Sequence, residues 1–185
     1  GAFALVALAN DQLIGARDPL GIRPLCMGEL DGAIIFASES CALDMIGATF
    51  LREVEPGEAV IVTQGGVESR RYAPAAPARP CAFEYIYFAR PDSVLGGRSI
   101  YEARKRMGIR LAQECPAEID VVVPVPDSGM TSALGYAEEI GKPFDLGIIR
   151  SHFVGRTFIQ PTQAKRDLGV RRKHAANAAA LQGKR

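Results

Sequence analysis

The sequence lacks any run that approaches the roughly 20 consecutive apolar residues needed to cross a bilayer. Its start also lacks a leader, in which a basic segment precedes an apolar one and a cleavage site. These absences argue against a membrane protein, and we expect a cytoplasmic protein with no membrane partner. Hydrophobic residues make up 48% and charged residues 23%, which is typical of a globular protein with a sizeable core.

Cysteine is scarce and scattered. The four cysteines show no C-x-x-C spacing, which argues against a self-contained zinc site or a disulfide framework. We therefore expect buried thiols at Cys26, Cys41, Cys81 and Cys115.

Positive charge is concentrated at one end of the chain. Nine of the 22 Lys and Arg residues lie from Arg150 onward, against one of the 21 acidic residues, Asp167. A segment of this kind recruits a phosphate or a nucleic acid, or it is only a solvated helix face. The charge pattern by itself does not choose among these.

The first third of the sequence has short apolar segments separated by residue pairs suited to tight turns. It predicts an antiparallel sheet whose first strand is buried, with one short helix at about 40–47 capped by Ser38 or Ser40. The predicted strands are 3–9, 12–16, 25–29, 33–37 and 59–63.

A connector follows at 72–80, where three prolines in nine residues favour an extended chain. We place the domain boundary here. Beyond it the pattern predicts a helix at about 99–114, a strand at 119–125, a helix at about 128–140 and a strand at 144–150. A strand, a helix and a strand in so short a span form a βαβ unit, which implies a parallel sheet.

The strongest local signal is the apolar strand that runs into Asp127, Ser128 and Gly129 at the start of a helix. Ligands of open α/β sheets bind at the carboxyl ends of strands, and free N–H groups at a helix start attract anions. Phosphate or pyrophosphate could dock here. The alternative is an ordinary turn in which Asp127 or Ser128 caps the helix.

A second signal is Arg150–His174, which mixes cations, hydroxyls, aromatics and glycines at low periodicity. This composition predicts a mobile basic loop able to close over a polyanion, rather than a packed element. The alternatives are a surface basic stretch and an RNA-binding arm. Phe153 and Phe158 stand alone, which argues against the RNA-binding arm.

Two further segments carry charge next to turn residues. Cys81–Ser93 alternates apolar and other residues, which predicts a strand ending in a Pro-Asp-Ser turn, and Arg17–Leu25 mixes charge with turn residues inside the first sheet. When either segment is considered alone, it is interpreted as a buried salt bridge and a tight turn.

Together, in this order, these segments resemble the amidophosphoribosyltransferase family from the first residue to the last. Each motif alone is weak, but jointly they are specific. The motifs are A-R-D-P-L-G-I-R-P-L at 16–25, F-A-S-E-S-C-A-L-D at 36–44, F-E-Y-I-Y-F-A-R-P-D-S at 83–93, V-P-V-P-D-S-G at 123–129 and V-G-R-T-F-I-Q-P at 154–161.

The resemblance implies two fold classes in succession. Residues 1–78 would be the later part of an α+β N-terminal-nucleophile glutamine amidohydrolase domain with an antiparallel sheet. Residues 79–185 would be the earlier part of an α/β type I phosphoribosyltransferase domain with a parallel sheet. Both parts are expected to be incomplete, without the nucleophilic cysteine and the ribose-binding acidic loop, so the chain alone is expected to be inactive.

The resemblance also implies roles for particular residues. Asp127, Ser128, Gly129 and Arg150 would bind substrate. The first three would form the turn that meets the pyrophosphate, with Ser128 as a ligand of Mg²⁺, and Arg150 would open the flexible loop. Gly129 stands where many relatives have a hydroxyl residue. In the flexible loop, the catalytic residues would be Arg156 and Thr157, and the lining of the ammonia path Phe158 and Ile159.

Cys81 stands where some relatives ligate a [4Fe-4S] cluster, while others keep the cysteine without a cluster. The remaining ligands are expected downstream, so we predict that this chain binds no iron and that Cys81 is simply a part-buried thiol. The partners implied are phosphoribosyl pyrophosphate and glutamine, in a homo-oligomer without nucleic acid.

The predicted function is formation of 5-phosphoribosylamine from phosphoribosyl pyrophosphate and glutamine-derived ammonia, the first step of purine synthesis. One alternative is a non-catalytic nucleotide-binding regulator on a phosphoribosyltransferase fold, which 119–150 alone would fit. The amidohydrolase-like segment at 16–44 argues against it. An RNA-binding module, the other alternative, predicts steeply salt-dependent affinity.

Overall fold

Residues in the left-handed backbone region determine where the first strands end in the computed structural model, which describes residues 1–74, 76–155 and 157–185. Asn10 and Asp11 have φ of 49° and 59°, and they join strands β1 (Ala4–Ala9) and β2 (Gln12–Arg17) in a two-residue hairpin. Asn and Asp tolerate this conformation better than other residues with a side chain, so the predicted turns are confirmed.

The strands described within residues 1–71 are antiparallel, as predicted, but they form two sheets instead of one. The first sheet has the order β1-β2-β6-β7 and the second the order β4-β3-β5. The sequence pattern missed β5 and β7, whose side chains are mostly exposed. The remaining bounds are β3 Cys26–Leu30, β4 Ala33–Ala37, β5 Thr49–Glu53, β6 Glu58–Thr63 and β7 Gly66–Arg71.

Side chains on both faces of strand β3 are buried, which accounts for a second sheet separate from the first. Met27 packs in one cluster with Val60 of β6, whereas the adjacent Cys26 packs in another with Leu43 of helix α1 (Ser40–Met45). Successive side chains of a strand point to opposite faces, so β3 contacts β6 on one face and the helix on the other.

The expected burial of the first strand is wrong. Among the described strands, β1 lies at the edge of its sheet beside β2, and Leu5, Val6 and Leu8 are 56%, 52% and 79% exposed. An apolar run thus identified the strand correctly but not its burial, which depends on what packs against it.

The start of helix α1 also differs from the prediction. Its N-cap is Glu39, which makes no capping hydrogen bond. The hydroxyl of Ser40 instead accepts a hydrogen bond from the Val94 amide at 2.9 Å. Neither serine is therefore the N-cap, because the side chain of Ser40 serves a tertiary contact.

The strand predicted within Cys81–Ser93 is wrong, because Glu84–Phe88 form a short π-helix. The Ala89 amide donates to the Glu84 carbonyl, an i to i+5 bond, and the Glu84 side chain is buried against Arg23, at 2.9 Å. The buried carboxylate of Glu84 thus has a partner distant in sequence, which the local alternation of residues does not reveal. The predicted turn is present, with the Ser93 amide donating to the Arg90 carbonyl.

The chain forms two compact units, Gly1–Tyr101 and Glu102–Arg185. The first unit extends past the connector because the following residues bond to it, as the amides of Arg79 and Cys81 donate to the carbonyls of Leu20 and Ile22. The small hairpin of β8 (Val94–Leu95) and β9 (Arg98–Ser99) completes this unit. The functional boundary at 78/79 stays a prediction.

Helices α2 (Ile100–Glu114) and α3 (Met130–Ile140) agree with the predicted helices to within two residues. They approach closely through glycine: a Cβ on Gly108 would lie 1.8 Å from the Ser132 carbonyl oxygen, and one on Gly135 would lie 2.1 Å from that of Lys105. The small residues therefore determine how near the two helices lie.

The strand predicted at 119–125 is reduced to an isolated bridge at Val122, and the strand predicted at 144–150 is shortened to Ile148–Arg150. Within the described residues, the predicted parallel pairing is limited to a single bridge, Val122 with Phe144, on either side of α3. Strand β10 (Ile148–Arg150) pairs antiparallel with β11 (His174–Ala176). Helix α4 (Gln163–Lys173) precedes β11 and helix α5 (Ala178–Leu181) follows it. Among the described residues, no helix is long and apolar enough to cross a membrane.

Candidate functional site

The turn before helix α3 is held by its own backbone. The Gly129 amide donates to the Val125 carbonyl at 3.0 Å, and the Met130 amide donates to the Asp127 carbonyl at 3.3 Å. A Cβ on Gly129 would lie 2.8 Å from the Val125 oxygen, so the close approach of the backbone requires glycine. Gly129 is the N-cap, and no side chain caps the helix. The capping alternative for Asp127 and Ser128 is therefore wrong, and both side chains are exposed.

The structure brings together two of the residues predicted to bind substrate. The Arg150 guanidinium donates through Nη1 to Oδ2 of Asp127. The Arg150 side chain is 33% exposed and that of Asp127 is 60% exposed. Arg150 is the last residue of β10 and pairs with His174 at the start of β11. One ion pair thus links the turn to the point where the segment 151–173 leaves the hairpin.

The other predicted loop residues are less closely gathered. Thr157 is half-buried and its carbonyl accepts from the Gln160 amide. Phe158 and Ile159 are 71% and 66% exposed, so they line no dry path in this arrangement. Arg156, predicted to be catalytic, lies outside the described residues. The roles of these four residues stay predictions.

The expectation that Arg150–His174 holds no packed element is wrong in part, because α4 occupies 11 of its residues. Thr162 caps this helix by accepting from the Lys165 amide at 3.3 Å, and the last turn carries three cations that favour a helix C-terminus. None of its residues is buried. Local capping and charge therefore account for the helix, while its mobility stays a prediction.

A cavity of about 380 Å³ opens between the segment before α4 and the helix itself. Lys165 and Arg172 from the helix and Thr157 from the preceding segment line it, together with the apolar side chain of Leu168. Two cations and a hydroxyl are groups that bind oxyanions. The cavity is lined entirely by the segment that the sequence predicts to close over a polyanion.

The buried salt bridge and the tight turn predicted at Arg17–Leu25 are confirmed. Arg17 Nη1 lies 3.2 Å from the Glu53 carboxylate and 2.8 Å from the Val54 carbonyl oxygen. The Asp18 carboxylate, 1% exposed, accepts from the Leu20 and Ile22 amides at 2.9 and 2.8 Å. These groups serve the fold of the first unit.

Sequence analysis missed the role of Glu39, which holds the Pro-Asp-Ser turn. One of its carboxylate oxygens accepts from the Arg90 amide and from the Ser93 hydroxyl, each at 2.7 Å. Glu39 and Ser93 lie in two of the motifs quoted above, but their 54-residue separation leaves no local signal of the contact.

The expectation of buried thiols holds for only two of the four cysteines. Cys26 and Cys41 are buried, and burial raises the pKa of Cys26 to about 11. Cys81 is half-buried, which confirms the part-buried thiol predicted there, and Cys115 is exposed. The buried thiol of Cys26 is therefore a poor nucleophile and behaves as an apolar side chain.

Comparison with known proteins connects these features. A model for a glutamine amidotransferase domain matches residues 1–45. Over the whole chain, the sequence is 57% identical to amidophosphoribosyltransferase of Rhizobium etli and 53% identical to the chloroplastic amidophosphoribosyltransferase of Glycine max. A solved glutamine phosphoribosylpyrophosphate amidotransferase from B. subtilis, complexed with ADP and GMP, matches the whole chain at 49% identity with a TM-score of 0.90. Over its whole length, the chain is homologous to amidophosphoribosyltransferases.

The chain spans only part of these relatives: 38% of the Rhizobium etli protein, 33% of the Glycine max protein and 41% of the solved B. subtilis chain. The alignment with these relatives covers both the first unit and the turn and loop of the second, since it includes all of this chain. It does not by itself assign a role to any residue.

The resemblance to amidophosphoribosyltransferases implies a Mg²⁺ ion and, for some relatives, a [4Fe-4S] cluster. The residues of this chain suit the first better than the second. Asp127 and Ser128 offer an exposed carboxylate and hydroxyl, which suit a Mg²⁺ that keeps most of its water and phosphate ligands. In the part of the chain that the structure describes, no three His, Cys, Asp or Glu residues form a metal-binding group. An iron–sulfur cluster needs several thiolates, so Cys81 with its described neighbours does not fit one.

Proposed function

We propose that the protein carrying this chain forms 5-phosphoribosylamine, glutamate and pyrophosphate from phosphoribosyl pyrophosphate, glutamine and water. The match of the entire chain to a phosphoribosylpyrophosphate amidotransferase at 49% identity and a TM-score of 0.90 carries this proposal. The match spans a minority of the relatives' length, so the activity belongs to the intact gene product.

In this proposal Asp127, Ser128, Gly129 and Arg150 form the pyrophosphate end of the transferase site. Displacement of pyrophosphate from C1 of the ribose builds negative charge on the leaving group, and a nearby cation stabilises that charge. Arg150 supplies such a cation at the turn, because its guanidinium already lies against Asp127. The cavity lined by Thr157, Lys165 and Arg172 supplies further oxyanion-binding groups once the segment lies over the substrate.

Mg²⁺, when bound, neutralises the phosphate oxygens of the substrate and the leaving group. The residues of this chain that would hold it are Ser128, through its hydroxyl, and Asp127, through its carboxylate. The exposure of both side chains leaves room for water and phosphate ligands. A [4Fe-4S] cluster has no part in this proposal.

The ammonia path requires a change in the loop. Ammonia must be kept from water, since protonation removes its nucleophilic lone pair. Phe158 and Ile159 are exposed here, and they could exclude water only after the segment 151–173 closes. Arg156 and Thr157 would then contact the substrate from the same segment.

The domain assignment is part of the proposal: a glutamine amidotransferase part at 1–78 and a phosphoribosyltransferase part at 79–185. The parallel bridge between Val122 and Phe144, on either side of α3, supports the second assignment. A homo-oligomer and a cytoplasmic location remain predictions that size measurement and cell fractionation would test.

Assay of the purified intact gene product tests the function. We expect pyrophosphate release that needs glutamine, phosphoribosyl pyrophosphate and Mg²⁺ together, and at least a tenfold lower kcat/KM for phosphoribosyl pyrophosphate in Arg150→Gln. Asp145→Asn, which changes an exposed carboxylate bonded only to the neighbouring Leu146 amide, is the control. Nucleotide binding without any pyrophosphate release would instead favour the regulator.

Limited digestion with trypsin tests the loop. Without ligand, we expect the first cuts at Lys165, Arg166 or 171–173, ahead of sites within 83–149, because no residue of α4 is buried. Phosphoribosyl pyrophosphate with Mg²⁺ should slow those cuts in the intact protein. First cleavage at 104–110, or equal rates with and without ligand, would contradict closure of the loop.

A further inference from the structure

The ion pair between Asp127 and Arg150 joins two segments that are 23 residues apart in sequence. Asp127 lies in the turn that opens α3, and Arg150 ends β10. The Ser151 amide donates to the Lys173 carbonyl at 2.7 Å, which closes the base of the segment 151–173 immediately after Arg150. The pair therefore lies where the turn and the base of this segment meet.

The Arg150 guanidinium is not saturated by this contact. Its Nε has almost no exposed surface and no hydrogen-bond partner among the described residues. A guanidinium offers five N–H donors, and it binds carboxylates and phosphates with the same planar donor geometry. Arg150 is therefore able to exchange the Asp127 carboxylate for a phosphate group, which would add negative charge and further acceptors.

Asp127 opposes that exchange in two ways. Its carboxylate occupies Nη1 of Arg150, and its negative charge repels a phosphate placed against the same guanidinium. Both side chains are partly exposed, so the pair is weak enough for a ligand to open it. A buried pair such as that of Arg17 would not open in this way.

We propose that Asp127 is a positioning residue whose carboxylate competes with an anion for the Arg150 guanidinium. Binding of a pyrophosphate group then opens the ion pair. This inference rests on the proposed function for the identity of the anion. Opening the pair frees the turn before α3 from the end of β10.

The test measures the affinity of the intact protein for inorganic pyrophosphate by calorimetry, with EDTA present to remove divalent metal ions. Asp127→Asn removes the competing charge, and we expect it to bind pyrophosphate roughly threefold more tightly than the wild type, as suits a partly exposed ion pair. Asp127→Ala should also bind pyrophosphate more tightly than the wild type. Asp145→Asn makes the same change in net charge elsewhere in this unit and should stay near the wild-type value.

A double substitution separates competition from a structural effect. In an Arg150→Gln background, Asp127→Asn should give no gain, because no guanidinium remains to be released. The competition would be overturned, with the pyrophosphate site left intact, by either of two results. One is that both Asp127 variants bind pyrophosphate no more tightly than the wild type. The other is that Asp127→Asn gives the same gain in affinity in the Arg150→Gln background as in the wild type. Failure of the wild type and every variant to bind pyrophosphate would overturn the site and the competition together.

Discussion

Arg17 in the first unit and Arg150 in the second each pair with a carboxylate, but in different surroundings. The Arg17 side chain is 8% exposed and also donates to the carbonyls of Gly21, Arg23 and Val54. The Arg150 side chain is 33% exposed and is hydrogen-bonded to Asp127 alone among the described residues. Burial and the number of partners therefore distinguish a structural ion pair from one that a ligand can open.

The largest expected effect is on the buried polar network of the first unit. Asp18→Ala removes a 1% exposed carboxylate and leaves the amides of Leu20 and Ile22 without their acceptor. We expect a loss of about 3 kcal/mol in the free energy of unfolding. Urea unfolding would measure it, with Asp44→Ala, on the exposed side of α1, as the control. Similar losses for both variants would remove the contrast between buried and exposed carboxylates.

The next effect depends on pH and concerns Glu58. Burial by itself raises the pKa of this carboxyl, but hydrogen bonds from Arg52, Ser69 and the Glu55 amide outweigh burial and lower it to about 2 from 4.5. A lowered pKa stabilises the fold fully above about pH 4.5, and this contribution of about 3 kcal/mol is lost as the pH falls toward 2.

Glu58→Gln should therefore flatten the fall in stability between pH 4.5 and pH 2, and lower the stability at pH 7. Thermal unfolding at several pH values would show it. Glu55→Gln, an exposed carboxylate in the same turn, should retain the wild-type dependence. An unchanged pH profile for Glu58→Gln would show that its ion pair contributes nothing.

A smaller effect is expected from the helix contact of the second unit. Gly108→Ala would place a Cβ 1.8 Å from the Ser132 carbonyl oxygen, so the helices must separate, at a cost of about 2 kcal/mol in unfolding free energy. Gly155→Ala, where a Cβ meets nothing within 4 Å, should change it by less than about 0.5 kcal/mol. Chemical denaturation of both variants makes the comparison. Equal stabilities would mean that α2 and α3 tolerate a wider spacing.

The smallest effect on stability is expected at the candidate site. Arg150→Gln breaks a partly exposed ion pair, and we expect the free energy of unfolding to fall by at most about 1 kcal/mol. Arg17→Gln, which removes a buried guanidinium with several partners, should cost about 3 kcal/mol. Denaturant midpoints of the two variants measure the contrast directly. Equal losses would place Arg150 among the structural residues and weaken the case for ligand exchange.

Much of the local structure could be predicted from short-range patterns. The turns at Asn10-Asp11 and Asp31-Gly32 and the helices α2 and α3 follow from residue preferences that act within a few positions. Strands β5 and β7 were missed because their sequences alternate poorly, and pairing with β3 and β6 specifies them instead.

The candidate site was predictable in part, because some of its residues belong to local sequence patterns. Asp127 and Arg150 each stood out locally, one at the end of an apolar segment and the other at the start of a basic one. Their contact could not be predicted, since it depends on how β10 lies beside the turn. The π-helix at Glu84–Phe88 was missed because the contact that buries Glu84 is with Arg23, which lies far away in the sequence and leaves no local signal.

The sequence by itself determined the family, the antiparallel hairpins and the positions of the turn and the basic segment, because motifs and turn residues act locally. Only the tertiary structure decided which charged residues are buried. Arg17 and Asp18 are enclosed by backbone partners, whereas Asp127 and Arg150 stay partly exposed. Burial and partner count arise from segments far apart in the chain, and they set whether a charge stabilises the fold or stays available to a ligand.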